Sequence, residues 1–114
     1  MAHTNPLLVE TIAEQLLAEL QVYEGLLEAA RAARWSTDAA LAVAAQGDRV
    51  QRYAENLPRM RVRMAEFLIT RTLLSRRLVG SGRGRAEALA ELHAEHLEAV
   101  HMLQAAAALV GHRS

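Results

Sequence analysis

A chain of 114 residues is long enough for one domain with a modest core. Thirteen arginines balance thirteen acids and lysine is absent, so no global charge points to nucleic acid or to a membrane surface. The lack of cysteine excludes disulfides, zinc fingers and thiol catalysis.

Ala, Leu, Glu, Arg and Gln dominate and favour helix throughout. The first helix is expected near Pro6, capped by Thr4 or Asn5. Val9, Ile12, Leu16, Leu20, Tyr23, Leu27 and Ala30 then share one face at spacings of three and four. Leu41 and Ala45 stay in phase with that stripe, so the helix is expected to run from about 6 to 46. The alternative is a fresh start capped by Ser36, Thr37 or Asp38. Gly47 is expected to end this element, and Asp48 to cap the next.

The second helix, about 49–79, carries a heptad seam: Val50, Tyr53, Leu57, Met60, Met64, Phe67, Arg71, Leu74 and Leu78. Only Arg71 breaks its apolar character. The seam holds its phase across Pro58, which predicts a kinked continuous helix, with a restart at Asn56 as the alternative. At 1.5 Å per residue the seam would extend about 43 Å. Gly80 to Gly84 reads as a turn between antiparallel helices, because no strand precedes it and no Walker lysine follows. A third helix follows at about 85–110. The expected fold is therefore all-α: one domain, residues 1–114, forming an elongated antiparallel three-helix bundle with coiled-coil-like packing.

Charge is divided between the helices. Residues 1–30 hold five acids and no arginine, residues 49–85 hold ten arginines against Glu55 and Glu66, and residues 86–112 hold four glutamates and no arginine. This pattern suits acidic helices flanking a basic one.

The stretch HAEHLEAVHML, His93 to Leu103, raises the question of a metal. On a helical wheel His96 lies at the centre of the apolar face made by Leu89, Leu92, Val100, Leu103 and Ala107. His93 lies at its edge, and His101 points away. Glu98-x-x-His101 has the spacing of ferritin-like di-iron ligands, and Glu24 is the carboxylate that would join them. That pair points outward and occurs once, so the expectation is a buried His96, surface His93 and His101, and no metal or cofactor. Metal binding by Glu98, His101 and Glu24 in an oligomer stays as an alternative. No serine or carboxylate arrangement suggests a catalytic site, so no enzyme is expected. The arginines of the middle helix keep nucleic-acid binding open as another alternative.

More apolar residues are present than a three-helix core uses. Val62, Ile69 and Leu73 lie away from the seam, Met102 and Leu109 lie among glutamates, and Leu17 and Leu26 flank the first stripe. Val62, Ile69, Leu73, Met102 and Leu109 are the candidate partner-binding residues, for a partner helix or a second copy.

"LLAELQVYEGLLEAARAA" from Leu16, "ALAVAAQGDRVQRYAENL" from Ala40 and the Arg-rich heptad helix together resemble the FlgN-type flagellar export chaperones over the first two-thirds of the chain. The resemblance rests on Leu16 to Leu27, Leu41 and Gly47-Asp48. It implies a cytoplasmic chaperone that binds the C-terminal helical segment of hook-filament junction proteins before their secretion. Independently of it, MAHTNPLL has no basic region leading into an apolar stretch, and no apolar run approaches the ~20 residues of a membrane span. The overall expectation is a cytoplasmic, homo-oligomeric helical adaptor or chaperone that binds a protein partner and no membrane.

Overall fold

The structure, a computed structural model, describes residues 6–80 and 82–111. It holds four α-helices: α1 (Pro6–Ala32), α2 (Thr37–Ala54), α3 (Arg61–Val79) and α4 (Arg85–Gly111). Among the described residues there is no strand. The cap expected at Thr4 or Asn5 lies outside the described residues, as does Ser81. The three-helix expectation is therefore corrected to four, and both corrections lie in the corners.

The helix expected over 6–46 ends at Ala32. Arg34 and Trp35 both take positive φ, 55° and 57°. The Trp35 amide donates to the Ala30 carbonyl (2.7 Å), and the Arg34 amide donates to the Arg31 carbonyl (3.0 Å). These are the two bonds of a Schellman stop, built here without its usual glycine. Ser36 then caps α2, its side chain accepting from the Ala39 amide at 3.4 Å. The new start rotates the helix, so Val43 is buried while Leu41, expected on the stripe, is exposed.

The helix expected over 49–79 is also two. Gly47 lies inside α2 and ends nothing. Pro58 has no N–H to return to the Ala54 carbonyl, and it forces Leu57 into an extended conformation (φ −123°, ψ 94°). α2 stops at Ala54, Pro58–Met60 form a single 3-10 turn, and α3 follows. The seam residues are nonetheless buried or half-buried throughout, because the corner resets both helices toward the same core.

Gly80 to Gly84 turns the chain into α4. Gly82 and Gly84 take positive φ (122° and 74°), which side-chain-bearing residues resist. The Arg85 guanidinium donates to the Gly80 carbonyl (2.7 Å) and the Leu78 carbonyl (3.0 Å), closing the C-terminus of α3.

α1 packs along α2 and α4, and α3 packs along α4, whereas α2 and α3 meet only locally. One core runs through all four helices, with Leu16, Leu20, Tyr23 and Leu27 from α1, Val50 from α2, Phe67 and Leu74 from α3, and Val100 and Leu103 from α4. Leu17 and Leu26, counted as surplus from the sequence, are partly buried against it. The molecule measures 53 × 22 × 21 Å, so it is elongated.

Candidate functional site

His96 is fully buried, as its place on the wheel predicts. Its Nε2 lies 2.7 Å from Tyr23 Oη, and its Nδ1 lies 2.7 Å from Thr70 Oγ1. Tyr23 is also fully buried, and its hydroxyl has no other hydrogen-bond partner among the described residues. Its proton therefore goes to Nε2. Nδ1 then carries hydrogen and donates to Thr70, whose hydroxyl donates to the Glu66 carbonyl at 2.9 Å. The chain of bonds needs a neutral imidazole. Desolvation pulls the His96 pKa down to about 4, with help from Arg71 and His93, and burial pushes that of Tyr23 well up. Phe67 packs on both rings, its centroid 5.2 Å from Tyr23 and 5.1 Å from His96. The network joins α1, α3 and α4 at one level, with Tyr23 and His96 fully buried and Thr70 half-buried at its outer end. Its chemistry is that of a polar staple.

His93 corrects the expectation of a surface histidine. It is 9% exposed and meets Trp35 edge-on at 5.8 Å. Its Nε2 is buried without a partner among the described residues. Desolvation, then the nearby Arg31, lowers its pKa. The Schellman corner swings Trp35 over α4, which no pattern within α4 could reveal.

Arg71, the one charge on the seam, fills a notch in α2. Its Nη2 donates to the Ala44 carbonyl at 2.7 Å and to Asp48 Oδ1 at 2.8 Å. A Cβ on Gly47 would lie 2.8 Å from Arg71 Cζ. Gly47 is thus a packing glycine that lets a guanidinium lie against helix backbone. Glu19 of α1 binds α2 in a similar way. Arg49 Nη2 donates to its Oε1 at 2.9 Å, and Gln46 donates to its Oε2 and, at 3.0 Å, to its carbonyl. Arg49 and Gln46 together hold the Glu19 carboxyl down to about 2. Arg49 and Arg71 are thus ion-paired across helices, and Arg85 is engaged by backbone carbonyls.

The candidate metal residues are partly brought together. His101 Nε2 lies 2.9 Å from Glu24 Oε2, and Gln104 donates to Glu24 Oε1 at 3.0 Å. Both neighbours lower the Glu24 pKa, His101 most. Glu98 is exposed and does not join them. Among the described residues no three His, Asp or Glu side chains come close enough to share an ion.

The five candidate partner-binding residues are all exposed: Val62 71%, Ile69 60%, Leu73 41%, Met102 37% and Leu109 74%. Leu8, Val22 and Val79 are exposed as well without a signal in the sequence, and Leu41 joins them although the stripe placed it inside. Val62, Ile69 and Leu73 are not covered by any other helix among the described residues. No helix among the described residues is long and apolar enough to cross a membrane. Comparison with protein-family models, curated proteins and solved structures returned no match.

Proposed function

We infer that this chain is a non-enzymatic helical module that binds another protein through the outer face of α3 and α4. The four helices are taken as an antiparallel bundle, whose staple of Tyr23, His96 and Thr70 holds that face rigid. The observation that carries the reading is the stripe Val62, Ile69 and Leu73, aliphatic and open to solvent on a helix rich in arginine. Burying one such side chain stabilises an interface by roughly 1.5–3 kcal/mol, so leaving three in a row uncovered points to a partner. Arginines beside the stripe favour an amphipathic helix with acidic margins. Within this class, the particular form proposed is a cytoplasmic export chaperone of the FlgN type, holding a helical segment of its client before secretion.

The test is fluorescence titration of a labelled acidic amphipathic helix into the wild type and the double variant Val62→Asp, Ile69→Asp. The variant is expected to bind about tenfold or more weakly, with unchanged helix content by circular dichroism. Equal binding by a folded variant refutes the assignment of the face.

A further inference from the structure

The outer surface of α3 and α4 is one face whose charges are divided between its two halves. At 100° per residue, Val62, Ile69 and Leu73 fall within about 40° of one another on α3, away from the buried Phe67. Met102 and Leu109 share a sector of α4 with Glu91, Glu95 and Glu98, within about 60°. The Arg63 guanidinium reaches Met102 Sδ at 3.9 Å, which turns this sector of α4 toward the α3 side. Both stripes therefore look out from the same flank of the molecule. Its α3 half carries exposed Arg76 beside the stripe, with half-buried Arg77 and the ion pair of Arg63 and Glu66 at its edge, a net positive set. Its α4 half carries exposed Glu91, Glu95 and Glu98.

A face with a basic half and an acidic half is complementary to itself. We propose that it seats a second copy of the chain about a two-fold axis parallel to the helices. This rests on reading the face as a protein-docking surface, and it names the occupant. Such an axis lays the net basic α3 of each copy over the acidic α4 of the other, and the contact between Arg76 and the glutamates of the partner α4 is made twice, once on each side of it. The perpendicular axis in the same plane would lay α3 on α3 and arginine on arginine. With the axis parallel to the helices each residue keeps its level along them. Arg63 is level with Met102, and Thr70 with His96. Val62 therefore comes opposite Met102 of the second copy, and Arg76 comes opposite the stretch around Glu87 and Glu91. Two helices side by side over the 19 residues of α3 give a footprint of roughly 28 × 20 Å before surface relief. That is on the order of the ~800 Å² that each partner buries in a stable interface.

Sedimentation velocity of the full chain over about 1–100 µM reads the outcome directly. The wild type is expected to dimerise. Arg76→Glu and Glu91→Arg, both at exposed positions, are each expected to weaken the dimer roughly tenfold. An equimolar mixture of the two variants is expected to recover it, because each altered position then meets its opposite charge across the axis. Fold disruption could not produce that recovery. A wild type monomeric throughout, or variants that do not rescue each other, overturns the proposal. A monomer that still binds a synthetic Leu/Glu amphipathic helix on this face overturns the second copy and leaves the docking surface standing. A monomer that binds no such helix removes both.

Discussion

His96→Gln separates a titrating staple from a merely packed one. In the folded chain the imidazole resists protonation down to about pH 4, against 6.5 for an ordinary histidine. The unfolded chain therefore takes up a proton between about pH 6.5 and 4 that the folded chain refuses. The stability tied to neutral His96 is full above 6.5, falls as pH drops through this window, and is level below about 4, where both states are charged. The gap between 6.5 and about 4 corresponds to about 3 kcal/mol. That is a large share of the ~5–15 kcal/mol that holds a domain together. Urea unfolding followed by far-UV circular dichroism, in half-unit steps between about pH 5 and 7.5, measures the slope. Wild type is expected to lose up to about 1.4 kcal/mol per pH unit through His96. His93, whose pKa is also lowered, adds to that slope and persists in the variant. Glu19 does not interfere, since its folded and unfolded values of about 2 and 4.5 put its loss of stability at lower pH. Gln keeps a donor and an acceptor for Thr70 and Tyr23, so the variant should lose about 1–2 kcal/mol at neutral pH. Its slope between pH 5 and 6.5 should be clearly shallower. A slope equal to that of the wild type would refute the account of His96 as a buried neutral ring.

Two further substitutions probe the corners and the notch. Gly47→Ala gains up to about 1 kcal/mol in helix propensity, yet its Cβ would sit 2.8 Å from the Arg71 guanidinium, so denaturant titration should show net destabilisation. The same change made on Arg71→Ala should be neutral or stabilising, and additive effects would show that the notch and the arginine are independent. Arg34→Gly relieves a side-chain-bearing residue of φ 55°, and thermal melting should show a gain of up to about 1 kcal/mol; a loss would mean that the greater freedom of glycine in the unfolded chain outweighs the relief.

Sequence alone determined the inward face of α1, of the seam and of α4 around His96. A periodic stripe marks the buried side of a helix whatever that helix later packs against, which is why Leu16 to Ala30, the seam from Val50 to Leu78, and His96 among its leucines are all on the inner side. The glycine turn before α4 was legible for the same local reason, since positive φ at Gly82 and Gly84 needs no distant partner. The number of helices was not legible, because Leu41 and Ala45 continue the apolar pattern in the sequence although the first corner rotates them out of the core, and because the seam keeps its phase across the second. A Schellman stop on Arg34 and Trp35 has no glycine to announce it, and Pro58 breaks a helix without shifting its stripe. The two roles of Gly47, helix stop or packing notch, differ only in whether a guanidinium arrives from a residue 24 positions later. His93 was in a similar position, because its burial depends on Trp35, which belongs to another corner of the fold. The exposed flank of Val62, Ile69 and Leu73 is also a tertiary result. Their hydrophobicity is written in the chain, but a residue is left uncovered only when every neighbouring helix has been placed, and that placement is a property of the whole bundle.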